Sequence, residues 1–256
     1  MGFVKITFED SVGTIAFDRD AKRNALSAGL IAEAMAALEE FQAKGARAVV
    51  LRSATSGKVW SAGHDVGELP HADVDPLPYN DPLEQLLRAV KAFPAPVIAM
   101  VHGSVWGGAC DLVLSCDLVY CEPTATFAVT PVTLGLPYSM SGLLNFMSRL
   151  PLNIVKEMFF SAEPIPAERA ELVGLVNRVV PSAELEEAVY GMARTVTTRS
   201  GAAIASAKET LRVLSESTPI APTTFEYLHN LRREVYCGPD YREGVAAFLE
   251  KRTPRF

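Results

Sequence analysis

The sequence has few cysteines and no long apolar run, and each absence excludes a class of protein. Only 4 of its 256 residues are cysteine, and no two of them form a C-x-x-C pair. That number is too small for the disulfide framework of a secreted domain. No stretch of about 18 apolar residues occurs, and charged residues interrupt the first ten positions. We therefore expect a cytoplasmic protein with neither an export signal nor a membrane span.

The sequence also has no strong excess of positive or negative charge. The chain has 24 Lys+Arg against 30 Asp+Glu, a formal net charge of -6, and no run of like charges. A mild acidic excess does not suit a surface that neutralises phosphates, so we expect neither nucleic acid nor anionic membrane as a partner. The four histidines, His64, His71, His102 and His229, show no ligand spacing beside the cysteines. No metal site is predicted, and the last three histidines belong to no recognisable constellation.

Hydrophobic periodicity predicts an α/β core at residues 1–180, followed by a helical region at 181–256. Short apolar or alternating runs predict strands, and spacings of three and four predict amphipathic helices. The predicted strands are 5–8, 13–17, 48–51, 97–101, 118–121 and 126–129. The predicted helices are 27–45 with Ser27 as N-cap, 81–93, 108–115, 183–196, 202–215, 223–236 and 241–251. Proline, glycine and serine mark the breaks between them.

Two predicted loops follow neighbouring buried strands and contain small residues. The first is 59–65, which includes Ser61-Ala62-Gly63-His64-Asp65, and the second is 102–111, which includes Gly107-Gly108. Glycines at a turn from strand to helix leave backbone N–H groups exposed at the positive end of the helix dipole. Two such loops can present one N–H each to a single oxygen, which is how an oxyanion hole is built. A tight turn or close helix packing explains the glycine pair equally well.

At these loops the chain resembles the crotonase (enoyl-CoA hydratase/isomerase) superfamily, from end to end. The segments that carry the resemblance are Lys22-Arg23-Asn24-Ala25-Leu26-Ser27, Ser61-Ala62-Gly63-His64-Asp65, Gly103-x-x-x-Gly107-Gly108 through Asp111, Cys116-Asp117-Leu118 and Phe248-Leu249-Glu250-Lys251-Arg252. The resemblance implies a spiral of repeated ββα units with a helical C-terminal trimerisation region. It also implies a homotrimer or a hexamer, and an acyl-CoA thioester as substrate. No separate cofactor is expected, because coenzyme A enters as part of that substrate.

The resemblance also implies roles for particular residues. The N–H groups of His64 and Gly108 match the two oxyanion donors, and Ala62 and Gly107 precede them in the same loops. The five residues that match the loop holding the adenine end of coenzyme A are Lys22, Arg23, Asn24, Ala25 and Leu26. Lys251 matches a C-terminal residue that reaches the coenzyme in relatives, sometimes from a neighbouring subunit.

Two positions depart from the pattern of the hydratases. Where hydratases have two glutamates, this chain has Asp111 and Pro131. Adding water to a double bond needs a positioned acid and base, so the loss of one carboxylate argues against hydration. Decarboxylation needs no strong base, because the breaking C–C bond supplies the electrons. Within the superfamily the chain is most similar to the decarboxylases of malonyl-type thioesters, which implies conversion of methylmalonyl-CoA to propionyl-CoA.

We expect Tyr138, with help from Thr130, to orient the departing carboxylate in a largely apolar pocket. Each residue also has a purely structural alternative. The His64 imidazole would then only fix its loop, Tyr138 would be a packed aromatic, and Thr130 would shape a turn. Asp111 either lines the pocket or interacts with the helix dipole. Two other functions remain open: another crotonase activity, namely hydration, isomerisation or thioester hydrolysis, and a non-catalytic acyl-CoA-binding protein.

Overall fold

The computed structural model describes residues 2–70, 73–217 and 219–256, which form two β-sheets and ten α-helices. The strands are β1 (Val4–Glu9), β2 (Val12–Phe17), β3 (Ala48–Ser53), β4 (Val59–Ser61), β5 (Val97–Val101), β6 (Ser104–Trp106), β7 (Leu118–Cys121), β8 (Thr126–Ala128), β9 (Ile165–Pro166) and β10 (Arg178–Val179). The helices are α1 (Ala28–Ala43), α2 (Pro82–Ala92), α3 (Gly108–Ser115), α4 (Met140–Arg149), α5 (Leu152–Ser161), α6 (Ala167–Leu172), α7 (Leu185–Thr197), α8 (Gly201–Glu216), α9 (Pro222–Tyr236) and α10 (Pro239–Leu249).

The larger sheet has six strands in the order β1-β2-β3-β5-β7-β10. Its strands are parallel except for β1, which forms a hairpin with β2. Asp10 and Ser11 join these two strands in a two-residue turn, with positive φ angles of 49° and 63°. Strand β5 is buried along its whole length, as its continuous apolar run predicted, and β2 is buried throughout as well.

A second sheet was not predicted. It contains β4, β6 and β8 in parallel and β9 antiparallel to β8. Its first two strands lie inside the segments that were interpreted as loops, and that interpretation is wrong for Val59–Ser61 and Ser104–Trp106. Three-residue strands contain too few positions to show an alternating pattern. A single parallel bridge from Leu26 to His64 extends this sheet by one residue beside β4.

The chain passes repeatedly from the larger sheet to the smaller sheet and then into a helix. Strands β3 and β4 lead to α2, and β5 and β6 lead to α3. This path is the repeated ββα spiral that was expected, and the α/β fold class is confirmed. Because each turn adds one strand to each sheet, the ends of β4, β6 and β8 lie side by side. The loops that follow these strands consequently meet.

Helices cover both faces of the larger sheet. Helix α1 begins at the N-cap Ser27, whose hydroxyl accepts the Leu30 N–H as predicted, and buries its apolar face in the main core. Helix α7 covers the opposite face through Leu185, Val189 and Ala193. The region after residue 181 is helical, as expected, and its first helix thus belongs to the packing of the sheet.

The last two helices cover one wall of a pocket. Tyr236 of α9 and Tyr241 of α10 pack with Leu69, Leu77 and Leu136, and the Tyr241 hydroxyl donates to the Pro70 carbonyl at 2.8 Å. Helix α10 also lies close to the 3-10 turn Pro131–Leu134. Within the described residues, no helix is long and apolar enough to cross a membrane.

Candidate active site

Two backbone segments meet at the carboxyl ends of β4 and β6. Gly63 has a φ of +82°, and a methyl group placed on it would lie 2.4 Å from the Trp106 carbonyl oxygen. A methyl group on Gly108 would lie 3.7 Å from the His64 amide nitrogen. At Gly63 only a residue without a side chain allows so close an approach. The two segments therefore bring the amides of His64 and Gly108 together, as the sequence predicted.

Neither of these amides has a protein acceptor in the part of the chain that the structure describes. The parallel bridge between Leu26 and His64 does not use the His64 N–H, since its hydrogen bond runs from the Leu26 N–H to the Gly63 carbonyl at 2.8 Å. Gly108 is the first residue of α3, where helical N–H groups have no partner within the helix. Both donors are thus available to an oxygen in the pocket, and the α3 dipole adds positive potential there.

The His64 side chain spans two elements. Its Nδ1 lies 3.3 Å from the Asp65 carbonyl oxygen, and its Nε2 lies 3.2 Å from Oδ2 of Asp81 at the start of α2. Burial lowers the pKa of His64, but the hydrogen bond and charge of Asp81, together with the Asp65 carbonyl and the charge of Glu68, outweigh burial, so the pKa is raised above its ordinary value. Asp81 was predicted only as the beginning of a helix. Its contact with His64 was missed.

These groups line one pocket, whose volume is about 600 Å³ including the part open to solvent. Apolar side chains from α2, from the segment after β4 and from the segment after β8 form most of its wall. Its lining residues are Ala62, His64, Val66, Leu69, Leu77, Leu83, Glu84, Leu87, Gly107, Gly108, Asp111, Thr130, Pro131, Leu134, Leu136, Tyr138 and Ser139. Eight predicted site residues are among them: His64, Gly108, Tyr138, Thr130, Ala62, Gly107, Asp111 and Pro131.

A buried carboxylate lies at one side of this pocket. Asp111 is 1% exposed, and its Oδ2 accepts the Tyr138 hydroxyl at 3.1 Å while its Oδ1 accepts the Asn145 amide. Burial raises the pKa of Asp111 to about 6, and the charge of Glu84 adds to the rise, although Asn145 and Tyr138 oppose it. The Tyr138 ring packs edge-on against Phe159 with centroids 5.0 Å apart. The hydroxyl is therefore fixed between the core and the pocket.

Glu84 is a second pocket carboxylate that the sequence interpretation missed. It is 5% exposed, its Oε2 accepts the Ser141 hydroxyl at 2.8 Å, and it lies 3.9 Å from Arg88. The sequence contained a signal, because Glu84 lies among the leucines on the apolar face of α2. A carboxylate within an apolar stripe is unusual unless it is paired or functional.

Thr130 and Pro131 lie where the chain leaves β8. Thr130 precedes the 3-10 turn that Pro131 begins, and a methyl group on Gly107 would lie 3.4 Å from its Oγ1. In the residues described, this hydroxyl has no hydrogen-bond partner from the protein. It is consequently free to contact a ligand near the N–H groups of His64 and Gly108.

The other predicted binding residues lie outside the pocket. Lys22 and Arg23 are exposed, whereas Asn24, Ala25 and Leu26 are buried. The Asn24 amide donates to the Ser53 hydroxyl and to the Trp60 carbonyl, each at 3.0 Å. This loop is joined to the oxyanion segment, since Ala62 N–H donates to the Arg23 carbonyl at 2.8 Å. Lys251 is exposed just after α10.

Among the described residues, His64 is the only histidine that lines this pocket, and no cysteine lines it. His102 lies beside Glu122, and His229 stacks on Phe225, while His71 is outside the described residues. Cys110, Cys116 and Cys121 are buried without disulfide bonds, as the apolar runs around them suggested. In ranges 2–70, 73–217 and 219–256 no group of three or more His, Cys, Asp or Glu residues is arranged to hold a metal ion.

The chain is similar in sequence and in structure to characterised proteins. The sequence profile of the enoyl-CoA hydratase/isomerase family matches residues 7–256. The chain is 44% identical over 254 residues to methylmalonyl-CoA decarboxylase of Escherichia coli, covering 99% of this chain and 97% of that protein. It superposes with a TM-score of 0.97 on solved structures of methylmalonyl-CoA decarboxylase, each at 44% sequence identity and covering 98% of that chain. One contains 2-nitronate-propionyl-CoA and covers 99% of this chain, and the other contains 2S-carboxypropyl-CoA and covers 100%.

Proposed function

The chain belongs to the enoyl-CoA hydratase/isomerase family, and from that premise we propose that it decarboxylates methylmalonyl-CoA to propionyl-CoA. The observation that carries the proposal is the convergence of two unpaired N–H groups, from His64 and Gly108, in a mostly apolar pocket. The relative of 44% identity that spans the whole chain is named for this reaction. The enzyme is then a carboxy-lyase that acts on a malonyl-type thioester.

The oxyanion donors hold the thioester oxygen. As the bond to the carboxylate breaks, its electron pair enters the thioester carbonyl and the oxygen becomes an enolate oxygen. The N–H groups of His64 and Gly108 stabilise this negative charge more strongly than they stabilise the neutral carbonyl. Carbon dioxide leaves, and the α-carbon takes a proton to give propionyl-CoA. The donors are fixed before the reaction, so no reorganisation is needed when the charge forms.

The opposite side of the pocket holds the carboxylate. Tyr138 and Thr130 present hydroxyl groups into an apolar surrounding. Hydrogen bonds from these hydroxyls orient the carboxylate so that its C–C bond is perpendicular to the thioester plane. The apolar wall removes solvation from the charged substrate, and this favours loss of neutral CO2.

Hydration is the second candidate, because the pocket contains a second carboxylate after all. Glu84 lies on α2, whereas the position that carries a glutamate in hydratases is Pro131. Glu84 is already engaged by the Ser141 hydroxyl and lies beside Arg88. A pair of Asp111 and Glu84 acting on water is the alternative that an assay has to exclude.

The test is a substrate comparison on purified protein. Methylmalonyl-CoA, malonyl-CoA and crotonyl-CoA are supplied separately, and CO2 release and thioester mass are followed. We expect CO2 and propionyl-CoA from methylmalonyl-CoA, and no water addition to crotonyl-CoA. Robust hydration of crotonyl-CoA would overturn the proposal, and binding of all three without turnover would indicate a non-catalytic acyl-CoA-binding protein.

We further propose the finer features that the family implies. Residues Lys22 to Leu26 hold the adenine end of coenzyme A, and Lys251 approaches it from the C-terminal region. The chain forms a homotrimer, or a hexamer of paired trimers, in the cytoplasm. Exposed apolar side chains on the C-terminal helices support this assembly, with Leu211 67%, Leu214 68% and Tyr227 61% exposed. Sedimentation analysis that finds only monomer would contradict it.

A further inference from the structure

The His64 ring lies between two hydrogen-bond acceptors, one at each nitrogen. Nδ1 faces the Asp65 carbonyl at 3.3 Å, and Nε2 faces the Asp81 carboxylate at 3.2 Å. A carbonyl oxygen can only accept, so Nδ1 carries a hydrogen. In a neutral imidazole Nε2 would then be an acceptor facing an acceptor. The pair is satisfied only if a proton lies between Nε2 and Oδ2.

The Asp81 carboxylate faces the ring through Oδ2. Its other oxygen, Oδ1, accepts the Leu83 N–H at 2.8 Å, as the N-cap of α2. The positive end of the helix dipole favours the ionised carboxylate at this position. An ionised Asp81 places the proton on Nε2, and both nitrogens of His64 are then protonated.

The charged groups around the ring are consistent with a cation. Asp65 pairs with Arg19 at 3.0 Å, and the exposed Glu68 on the adjoining turn adds negative potential. On the pocket side the charged lining groups are the carboxylates of Glu84 and Asp111, and no Lys or Arg of the described residues lines the cavity. A positive charge at His64 is therefore opposed by no neighbouring cation in the pocket wall.

We propose that Asp81 is a positioning residue that holds His64 as an imidazolium, with its positive charge beside the peptide N–H that receives the thioester oxygen. The inference rests on the proposed function, because it assumes that an enolate oxygen forms at this N–H. A fixed positive charge in a dry site stabilises that anion more than it stabilises the neutral carbonyl. Asp81 also ties the oxyanion loop to α2, so the N–H keeps its direction as the pocket fills.

Asp81→Asn is the variant that isolates the charge. Asparagine is as good an N-cap as aspartate, so the Leu83 hydrogen bond and the start of α2 are retained. Glu68→Gln is the matched control, because it removes a carboxylate that faces His64 without bonding to the ring. His64→Gln identifies the His64 resonance among the four histidines of the chain.

The first measurement is a ¹⁵N NMR titration of the imidazole nitrogens in the ligand-free protein. We expect His64 in the parent to stay doubly protonated above the pH at which an ordinary histidine loses its proton, near 6.5. Asp81→Asn should lower its midpoint by about one pH unit or more. Glu68→Gln should lower it by much less. A neutral His64 ring at pH 6 in the parent, or a midpoint that Asp81→Asn leaves unchanged, overturns the proposal.

The second measurement is kcat and KM for methylmalonyl-CoA as a function of pH. Parent kcat should fall as pH rises through the NMR midpoint, because the cation is lost. In Asp81→Asn this fall should move to lower pH, with kcat at pH 7 reduced about tenfold and KM changed less. An identical alkaline fall in both proteins overturns the catalytic part. Because the titration uses no substrate, absence of turnover together with the expected NMR shift would refute the proposed function alone.

Discussion

The Tyr138 hydroxyl donates its only hydrogen to Oδ2 of Asp111, at 3.1 Å. While Asp111 is ionised, this hydrogen is directed at the protein and not at a ligand. When Asp111 is protonated, it can donate to the Tyr138 oxygen, and the Tyr138 hydrogen is released toward the pocket. Since the pKa of Asp111 is raised to about 6, the two arrangements exchange near neutral pH.

At pH 5, where Asp111 is protonated and the Tyr138 hydrogen is available to the substrate, Tyr138→Phe should slow decarboxylation by about 10- to 150-fold, because one hydrogen bond to a charged carboxylate is lost in the transition state. At pH 7.5 the effect should be smaller, because the hydrogen is then directed at Asp111. Affinity for propionyl-CoA, which lacks the carboxylate, should hardly change. The variant should also lose more stability at pH 7.5 than at pH 5, since only the ionised Asp111 needs the hydroxyl as donor. Steady-state kinetics and thermal melts at both pH values test this.

Tyr190→Phe is the matched control for that variant. Its hydroxyl is hydrogen bonded to Thr14 at 2.9 Å, and it does not line the pocket. This substitution should leave kcat unchanged. If Tyr138→Phe also leaves kcat unchanged per folded molecule, Tyr138 is only a packed aromatic.

Asp111→Asn should change how stability depends on pH. Burial raises the folded-state pKa of Asp111 to about 6, whereas its ordinary value is 3.8. The folded protein therefore binds the proton more tightly, and this group makes the parent less stable as pH rises from about 4 to about 6. A difference of about two pH units corresponds to about 3 kcal/mol of unfolding free energy. The parent should lose this stability as pH rises, and the asparagine variant should not. Urea denaturation at pH 4.5 and 7.5 measures the change.

The same variant should still release CO2 from methylmalonyl-CoA. An asparagine at position 111 keeps an acceptor for Asn145 and can donate to the Tyr138 oxygen, so the Tyr138 hydrogen points into the pocket. Crotonyl-CoA hydration should stay at background, as in the parent. Complete loss of CO2 release from a folded variant would show that Asp111 has an essential chemical role.

Gly108→Ala should impair catalysis more than folding. The added methyl group would lie 2.5 Å from Leu83 Cδ2, so that this side chain has to shift, and 3.7 Å from the His64 nitrogen. It would thus occupy the space between the two oxyanion donors, and we expect kcat to fall about 100-fold or more. Kinetics on the folded fraction test this, and a nearly normal kcat would remove Gly108 from the oxyanion hole.

Two other glycines provide controls for this substitution. Gly63→Ala should destabilise the fold, because its φ is +82° and its methyl group would meet the Trp106 carbonyl at 2.4 Å. Gly45→Ala has a similar φ of +70° but open space, so it should lower Tm without changing kcat.

Asp75 and Arg232 should be energetically coupled. Arg232 of α9 contacts both oxygens of Asp75, at 2.7 and 3.0 Å, and the Arg232 and Asp75 side chains are 11% and 21% exposed, respectively. A double-mutant cycle with Asp75→Asn and Arg232→Gln should give a coupling of about 1 to 3 kcal/mol. Each single variant should raise KM for methylmalonyl-CoA, because the pair holds α9 against the segment before α2. Additive losses of stability would contradict the coupling.

The sequence predicted β1, β2, β3, β5 and β7 of the larger sheet and the long helices of the C-terminal region, because their buried faces repeat over several residues. It did not predict the two-residue strand β10. The predicted helix 223–236, for example, is observed as Pro222–Tyr236. The smaller sheet was missed because Val59–Ser61 and Ser104–Trp106 are too short to show a period. Their pairing depends on contacts between distant segments, which a local pattern does not contain.

The sequence predicted the site residues that belong to recognisable loop motifs. It missed the site residues whose side chains project from helix α2 or its N-cap. His64, Gly108 and Tyr138 line one pocket, as expected. Asp81 was interpreted only as the start of a helix, which is its role as the N-cap of α2. Its second contact, with His64, was therefore not predicted. Glu84 is on a helix that was predicted, but which side of the pocket it faces depends on packing between turns of the spiral.

The order of strands in the smaller sheet has a consequence for how such a protein diverges in evolution. The turn through β4 supplies His64 and the turn through β6 supplies Gly108, while the segment after β8 supplies Thr130 and Tyr138. In the proposed mechanism, one part of the chain stabilises the enolate, and a later part selects the bond that breaks. Mutations after β8 can exchange one reaction for another while the inherited anion-stabilising half stays intact, so new activities need not begin from an inactive ancestor.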